Sequence, residues 1–527
     1  MVFLPSRRHA GLECGRVGPA PMTIRFYNSL TQKLEAFEPL EPGKARVYVC
    51  GITTYDLAHA GHARTYTTFD VLVRHLRARG YEVTHVRNVT DVDDKIVKRA
   101  AENGEEPLAL SARMSKVADK DLATIGCDKP DHSPRVSTHI PEIVELTQKL
   151  VDKGHAYVVD TPKGKDVYFS VRSFPTYGRL SRRNIDDLLS GARVDVGDIK
   201  KDPLDFALWK GAEGEAFGFD SPWGKGRPGW HIECSAMAEK YLGPHFDIHC
   251  GGMDLIFPHH ENEIAQSEAA HGPDFARVWL HGGFLNVDSE KMSKSLGNFV
   301  TIRDVLDRND PEGLRYFLLG THYRGPLAFD MDKRPDGRVV FPGVDEAERR
   351  VEYLYTTRDA LVKAAEGYEP KVGNVLQGQA KIVESAAAQV GSALDKDMNA
   401  PVALSVIAEL AKAGNEIVQQ IAKLKKDKPA QDEARKLAAA CVNALDGSVA
   451  QLGLMQASSA EFFERTRAQR LRIKKLSLED IEKKVVARRA ARDQKDFATA
   501  DALRKELAEL GVEVQDGETS STFRVLV

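Results

Sequence analysis

Residues 45–62 read ARVYVCGITTYDLAHAGH and contain the clearest fold signal in the chain. Residues 45–49 have the β-branched and aromatic composition of a buried strand, and Cys50-Gly51 is expected to end that strand and open a loop. The tetrapeptide HAGH, residues 59–62, stands where a helix should then begin. The stretch therefore predicts a strand followed by a helix, the repeating unit of parallel α/β sheets.

A second strand is predicted for residues 82–86, which follow Gly80 and precede the acidic loop TDVDD at residues 90–94. Two such strands on either side of a helix favour a parallel sheet. Ligands of such sheets bind at the carboxyl ends of the strands, so we expect the functional residues of this chain to gather there.

The chain of 527 residues is too long for one core and is expected to form three or four units. Residues 133–227 mix glycine, proline and charged residues, which indicates an insertion between two halves of the sheet. Residues 343–475 are rich in Ala, Leu, Lys and Glu at helical spacing and predict a helical bundle. The expected boundaries are 1–21 for a disordered extension, 22–132 and 228–342 for the two halves of the sheet domain, 133–227 for the insertion, 343–475 for the bundle and 476–527 for a small terminal module.

Composition narrows the classes of function. The chain has 42% hydrophobic and 29% charged residues and no apolar run long enough to span a bilayer, which argues against a transmembrane role. The chain has a net charge of −3, so a nucleic-acid partner would have to be held by local basic surface. Six scattered cysteines do not make a disulfide framework and favour the reducing cytoplasm. The first 21 residues are expected to be disordered or to precede a true start at Met22.

A candidate metal site comes from FPHHENE at residues 257–263. His259 and Glu263 are four residues apart, so on a helix both face the same side and both can bind a metal. Cys50, at the end of the first strand, and Cys234 would complete a four-ligand zinc site. The alternatives are an ordinary hydrogen-bonded pair on a helix surface and two buried cysteines that act as small hydrophobic residues. Spacing alone does not decide between these interpretations.

A candidate nucleotide site comes from HAGH at residues 59–62 and KMSKS at residues 291–295. At a helix start, backbone amides and the helix dipole can receive phosphate oxygens, and two imidazoles add donors. Gly282, Gly283 and Gly297 near the second motif predict a mobile basic loop that closes over phosphates. Each motif alone is a weak signal, and a solvated charged loop would also explain the two lysines.

Together the two motifs resemble the signature motifs of class I aminoacyl-tRNA synthetases, with Ala60 in place of the usual isoleucine. Four stretches further resemble the cysteinyl-tRNA synthetases of that class, namely YVCGITTYD at 48–56, RNVTDVDDK at 87–95, GWHIECSAM at 229–237 and FPHHENE at 257–263. The resemblance extends from about residue 24 to the terminal module. It implies a Rossmann-like parallel sheet with an inserted connective domain, then an α-helical bundle and a small C-terminal anticodon-binding module, with the KMSKS loop within residues 228–342.

The resemblance also implies roles for individual residues. The zinc ligands would be Cys50, Cys234, His259 and Glu263. The amino-acid pocket would contain Thr53, Thr90, Trp230, His249 and Asp254. The ATP-binding and catalytic positions would be His59, Gly61, His62, Lys291 and Lys294. Cys250 departs from the glycine-rich run of the family, so a third thiol is expected near the site, although not as a ligand.

The implied reaction is the activation of L-cysteine with ATP and Mg²⁺ and its transfer to the 3′ end of tRNA-Cys by a monomer. One Zn²⁺ per chain would reject serine, because a thiolate binds zinc and an alcohol binds it poorly, so no editing domain is expected. Lys294 and the HAGH segment are expected to stabilise charge at the α-phosphate. The residues expected to contact tRNA phosphates, unless they form only a solvated helix face, are Lys483, Lys484, Arg488, Arg489, Arg492 and Lys495.

Two alternatives to a tRNA ligase follow from the same resemblance. A cysteine:amino-sugar ligase of mycothiol synthesis resembles the catalytic domain but lacks an anticodon-binding end, so the residues after 475 argue against it. A non-catalytic zinc-binding or tRNA-binding paralogue would show degraded ATP motifs, whereas both motifs are intact in this sequence.

Overall fold

The computed structural model describes residues 23–184, 199–287, 290–291, 299–334, 337–517 and 521–526, with only the backbone at 290–291. The predicted extension at residues 1–21, Lys294 and the side chain of Lys291 therefore lie outside the described residues. Among the helices that are described, none has both the length and the apolar composition needed to cross a bilayer.

The first half of the sheet domain begins with an antiparallel hairpin and continues with the predicted strand–helix–strand unit. Its elements are β1 (Arg25–Asn28), β2 (Lys33–Ala36), β3 (Lys44–Thr53), α1 (Ala60–Ala78), β4 (Glu82–Thr90), α2 (Asp94–Asn103) and α3 (Pro107–Thr124). Both parallel strands are longer than predicted. In particular, β3 does not end at Cys50-Gly51 but continues past an irregularity between Val49 and Ile52.

Residues after α3 form a helix and a four-stranded antiparallel sheet, and the parallel sheet then resumes. The elements are α4 (Ile140–Asp152), β5 (Ala156–Thr161), β6 (Gly164–Phe169), β7 (Phe206–Gly211), β8 (Gly226–Pro228), α5 (Trp230–Leu242), β9 (Phe246–Gly252), α6 (Glu261–His271) and β10 (Ala276–Gly282). The parallel sheet has the order β10-β9-β3-β4, so the antiparallel sheet separates its two halves in sequence.

Both faces of the parallel sheet are covered, as expected for an α/β fold. Along β3, Val47 and Val49 pack with α1 in one core, whereas Tyr48 and Cys50 pack with α5 in the other. Cys250 belongs to the first of these cores. It therefore lies on the opposite face of the sheet from Cys50, and the expectation of a third thiol near the metal site is wrong.

Short elements connect the sheet domain to five long helices and a terminal module. The connection contains β11 (Leu285–Val287), β12 (Glu290–Lys291), α7 (Ile302–Leu306), α8 (Pro311–Leu319), β13 (Leu327–Phe329), β14 (Asp332–Lys333) and β15 (Val339–Val340). The long helices are α9 (Pro342–Ala364), α10 (Gln377–Asp395), α11 (Ala400–Lys423), α12 (Lys428–Gln451) and α13 (Ser459–Lys474). The module consists of α14 (Leu478–Asp493), α15 (Phe497–Glu509), β16 (Val512–Asp516) and β17 (Ser521–Val525).

The terminal module uses its basic residues differently from the prediction. Arg488 is buried and donates hydrogen bonds of 2.7 and 3.0 Å to Asp516, so its guanidinium fastens the hairpin β16–β17 to α14. The prediction that Arg488 contacts tRNA phosphates is therefore wrong. The neighbouring side chains of Lys483, Lys484, Arg489 and Arg492 pair with Glu479, Glu506, Asp493 and Asp516.

A buried arginine joins the sheet domain to the helical bundle. Arg315 on α8 is inaccessible to solvent, and it donates to the carboxylate of Asp70 on α1 and, at 2.7 Å, to the Leu452 carbonyl after α12. Asp70 also accepts a 2.8 Å bond from Arg74, which binds the half-exposed Asp128 at 2.6 Å. Burial would raise the pKa of Asp70, but Arg315 and Arg74 outweigh it and hold that pKa below its ordinary value.

We expect Asp70→Asn to lower the free energy of unfolding by about 3–5 kcal/mol, because it leaves Arg315 buried without its counter-charge. Asp128→Asn removes the exposed partner of the same Arg74 and should cost about 1 kcal/mol or less. Denaturant unfolding of both variants checks this, and equal losses would contradict it. Because the folded-state pKa of Asp70 is lowered, its contribution is present above the unfolded-state pKa and is lost as the pH falls through the folded-state pKa.

Candidate functional site

A cavity of about 310 Å³ opens at the carboxyl ends of the parallel strands. The predicted site residues that line it are Cys50, Thr53, His59, Gly61, His62, Trp230 and Asp254. Other predicted residues, Thr90, Cys234, His249, His259 and Glu263, are buried and do not line this cavity. The structure thus brings the HAGH segment and Cys50 of the candidate metal site to one edge of the sheet, where ligands of such folds bind.

Four ligand atoms meet at the inner end of the cavity. Cys50 Sγ on β3 lies 4.0 Å from Cys234 Sγ on α5 and 3.8 Å from Glu263 Oε1 on α6. His259 Nε2, on the turn Ile256–His260, lies 3.1 Å from the same carboxylate oxygen. A tetrahedral zinc ion with bonds of about 2.0–2.3 Å needs ligand atoms roughly 3.3–3.8 Å apart. The four side chains suit such an ion in chemistry, and the quoted distances of 3.1 to 4.0 Å lie close to that range on either side of it.

The ionisation of these four side chains suits a cation only in part, because burial raises the pKa of the Cys50 thiol and His259 would have to release a proton to bind a metal. A hydrogen bond from Cys50 and the proximity of His259 lower the pKa of Cys234 to about 6, against the effect of burial. Burial would lower the pKa of His259, but Glu263 and Cys234 raise it to about 10. Burial would raise the pKa of Glu263, but His249 and His259 lower it to about 2. A thiolate and a carboxylate thus already face the position that a metal would take.

A second group of donors overlaps the first. Cys50, His249, His260 and Glu263 also offer ligand atoms within 4.8 Å of one another. Since both groups use Cys50 and Glu263, they describe alternative positions of one ion. Burial lowers the pKa of His281, which contacts His260, to about 3, and also lowers that of His260, so both rings are neutral.

Two histidines contact side chains of the candidate metal site and orient them. His249 Nε2 contacts Glu263 Oε2 at 2.9 Å, whereas the sequence placed His249 in the amino-acid pocket. His231 Nδ1 lies 3.0 Å from His259 Nδ1, which leaves Nε2 of His259 for Glu263 or a metal. Such partners fix the tautomer and orientation of metal-binding imidazoles. His231 stands within the family-like stretch GWHIECSAM, and nothing in that stretch indicates this contact.

Close approach of two strands explains why glycine follows Cys50. A Cβ atom on Gly51 would lie 1.6 Å from the carbonyl oxygen of Asn88 on β4. The Gly51 amide instead donates a 2.7 Å bond to the Asn88 side chain, and Tyr66 donates a 3.0 Å bond to the Cys50 carbonyl. These contacts allow β3 to continue beyond Cys50 and hold its thiol against α5.

The HAGH segment caps the helix that it begins. His59 Nδ1 accepts from the His62 amide and His62 Nδ1 accepts from the His59 amide, each at 3.3 Å. The two rings stack with centroids 3.6 Å apart. Burial, and secondarily His59, lowers the pKa of His62, so this neutral ring carries its proton on Nε2. The N-terminal amides of α1 and a neutral N–H donor therefore lie at the cavity, a setting suited to phosphate oxygens.

The segment after the KMSKS motif is fastened to the same helix start. The Ala60 amide donates to the Val300 carbonyl at 2.9 Å, and the Ile302 amide donates to the Ala58 carbonyl at 3.0 Å. The cavity wall also contains Lys95, at the start of α2. Lys95 ends the family-like stretch RNVTDVDDK, but a single lysine after an acidic loop gives no distinct signal of a function.

Most of the chain matches models of known protein families. Residues 36–334 match the model described as tRNA synthetases class I (C) catalytic domain. Residues 389–456 match the DALR domain, and residues 480–524 match the cysteinyl-tRNA ligase anticodon binding domain.

Curated relatives are similar over nearly the whole length. A cysteine--tRNA ligase of Anaeromyxobacter dehalogenans (strain 2CP-C) is 48% identical over 510 residues, and one of Geobacter metallireducens is 43% identical over 510 residues. Each alignment covers 96% of this chain and 100% of the relative.

Solved structures share the fold at low identity. A methionyl-tRNA synthetase of Mycobacterium tuberculosis in complex with methionyl-adenylate has a TM-score of 0.61 at 17% identity and covers 80% of this chain and 93% of its own. A leucyl enzyme, LeuRS of Agrobacterium radiobacter K84 in a ternary complex with tRNA and LeuAMS, has a TM-score of 0.56 at 12% identity, with coverages of 82% and 86%.

Gly51→Ala should lower the free energy of unfolding by about 1–3 kcal/mol or more and weaken metal binding, because the added methyl group collides with Asn88 and displaces Cys50. The control is Gly282→Ala at the end of β10, where a Cβ would lie 3.9 Å from its nearest neighbour. Denaturant unfolding and metal titration of the two variants test this. Equal effects of the two substitutions would show that the strand approach at Gly51 is not a constraint.

Proposed function

This chain belongs to the cysteinyl-tRNA synthetase family, and from that premise we propose that its buried Cys/His/Glu group holds zinc and thereby selects cysteine over serine. Ligases of this kind attach cysteine to tRNA with ATP as a substrate. One observation carries the proposal. Two thiols, an imidazole and a carboxylate converge from four separate elements onto one point at the inner end of the cavity.

We infer that Cys50, Cys234, His259 and Glu263 are the ligands, because two thiolates suit zinc better than the single thiolate of the overlapping group. When bound there, zinc would supply a soft coordination position that takes a thiolate and takes a serine hydroxyl poorly. Trp230 supports this assignment. Its indole is 40% exposed, lines the cavity and stacks on His259 with ring centroids 4.4 Å apart, so it can cover the substrate side chain next to the ligands.

For the activation step, we propose that the cysteine carboxylate attacks the α-phosphate of ATP and displaces pyrophosphate. A carboxylate is already a nucleophile, so no general base is needed. The neutral His62 ring and the α1 amides can donate to the phosphate oxygens without a change of protonation. Lys291 and Lys294 would place positive charge next to the phosphates of ATP. Mg²⁺ would be the counter-ion of those phosphates. The assignment of the two lysines is supported by the residues that follow the KMSKS motif, which lie against the start of α1: the Ala60 amide donates to the Val300 carbonyl, and the Ile302 amide donates to the Ala58 carbonyl.

For the tRNA, we propose that a second cavity receives backbone phosphate. This cavity, of about 500 Å³, lies between the connecting segment around Arg308 and the hairpin β14–β15, the helices α9 and α13, and Leu526. Its charged lining residues are Arg308, Arg334, Arg338, Arg349, Arg470, Lys474, Asp345 and Glu348. Burial and then Arg338 lower the pKa of Lys474, which reflects an excess of positive charge around it. An unbalanced basic cavity outside the catalytic site suits a polyanion such as tRNA.

Cys234→Ser should abolish stoichiometric zinc binding and reduce the preference for cysteine over serine toward the roughly 100-fold or less that shape alone achieves. Amino-acid-dependent ATP–pyrophosphate exchange with each amino acid, together with the zinc content, measures this. Cys250→Ser is the matched control, since that thiol is equally buried but lies on the other face of the sheet. A Cys234→Ser enzyme that keeps one zinc and the full preference would overturn the proposed zinc site.

Lys474→Ala should reduce the salt-dependence slope of tRNA binding by about 1 and leave cysteine-dependent pyrophosphate exchange unchanged, because one phosphate contact is lost far from the catalytic cavity. Lys44→Ala is the control, since Lys44 is exposed and pairs with Glu41 at 2.5 Å. Filter binding of tRNA at several salt concentrations measures the slopes. An unchanged slope for Lys474→Ala, or the same change for Lys44→Ala, would argue against a phosphate site in this cavity.

A further inference from the structure

Behind the metal-binding group, three side chains form a continuous chain of hydrogen bonds. His260 Nε2 lies 3.3 Å from Cys50 Sγ, and His260 Nδ1 lies 2.8 Å from His281 Nε2. His281 Nδ1 in turn lies 2.8 Å from Ser29 Oγ. Both histidines are buried, whereas Ser29 is half-buried at the turn after β1. The chain thus runs from the entry hairpin of the protein to one of the proposed ligands.

The backbone around these residues is built to let the chain form. A Cβ atom on Gly251 would lie 2.6 Å from His260 Cε1 and 2.9 Å from His260 Nε2, so the ring reaches Cys50 only because glycine occupies this place in β9. Ser29 is held by its amide, which donates a 2.9 Å bond to the Trp279 carbonyl on β10. His281 lies two residues further along the same strand.

The direction of the hydrogen bonds follows from the chemistry of the sulfur. A thiolate bound to a metal can only accept, and a bare ring nitrogen 3.3 Å from it would be repelled, so His260 Nε2 must carry the proton. In a neutral ring, Nδ1 of His260 then accepts from His281 Nε2. His281 Nδ1 is in consequence an acceptor, and the Ser29 hydroxyl donates to it. The negative charge on the Cys50 sulfur, at one end of this chain of hydrogen bonds, therefore determines the tautomers of His260 and His281.

The geometry points to His260 as a positioning residue that donates a hydrogen bond to the Cys50 thiolate, held in that tautomer by His281 and Ser29. This inference rests on the proposed zinc site. The ligand set contains two thiolates and one carboxylate, so a divalent ion leaves the group with a net charge of −1. A donor to the Cys50 sulfur draws charge from the ligand and directs its lone pair, and this makes the ion more able to accept a further thiolate from the substrate.

The test uses the full chain with Co²⁺ in place of zinc and records the sulfur-to-cobalt charge-transfer band. His260→Phe removes the donor, so more charge stays on sulfur and the band should move to longer wavelength. Zinc affinity, measured by competition with a chelator, should fall about 10- to 100-fold. His260→Gln can place an amide N–H near the former Nε2 position and should restore the wild-type band. His281→Phe should give an intermediate shift.

His245→Gln serves as the control, because this half-buried histidine contacts the Asp274 carbonyl and is not part of the chain of hydrogen bonds described above. Far-ultraviolet circular dichroism verifies folding of each variant. The inference is overturned if His260→Phe keeps the wild-type band, or if both His260 variants lose cobalt d–d intensity, which would make His260 a ligand. A wild-type protein that shows no thiolate band with cobalt would overturn the zinc site and this inference together, whereas the first two outcomes leave selection of cysteine by a metal intact.

Discussion

Glu263 carries an ionised carboxylate with no exposure to solvent, and the arrangement of the site depends on it. Such a charge is not tolerated in a protein interior unless hydrogen bonds or opposite charges compensate it. His249 and His259 contact its two oxygens at 2.9 and 3.1 Å, and Cys50 lies 3.8 Å from one of them. These residues come from β9, a turn and β3. A single buried charge therefore draws three elements together at the edge of the sheet where the cavity opens.

The same rule operates where the sheet domain meets the helical bundle. Two contacts there place a buried acid against an arginine. Asp70 accepts from Arg315, and Asp395 accepts two hydrogen bonds of 2.7 and 2.9 Å from Arg79. At the far end of the bundle Arg470 binds Glu348 at 2.7 Å and also donates to the Val525 carbonyl of the terminal hairpin. Buried ion pairs add little net stability but penalise every arrangement that separates them. They align the units that must act on one tRNA molecule.

Periodicity and turn residues predicted the strand–helix–strand unit, the parallel sheet and the helical bundle, and each of these is present. The ends of the strands were not predictable, because continuation of β3 past Cys50 depends on its approach to Asn88 in another strand. The terminal hairpin was missed because its strands are short and largely exposed and lack the alternation of a half-buried strand. Arg488 was misassigned for a related reason, since a run of basic residues does not reveal which of them meets a carboxylate from a distant segment.

The metal-binding group marks the limit of sequence reasoning most sharply. His259 and His260 are adjacent and chemically identical, and the family resemblance implied a ligand role for His259 but no role for His260. The difference arises from what lies beyond each ring. His259 has His231 behind it and faces Glu263, while His260 has His281 behind it and faces Cys50 across Gly251. Because those partners come from separate segments, residue roles in such a cluster are set by tertiary contacts.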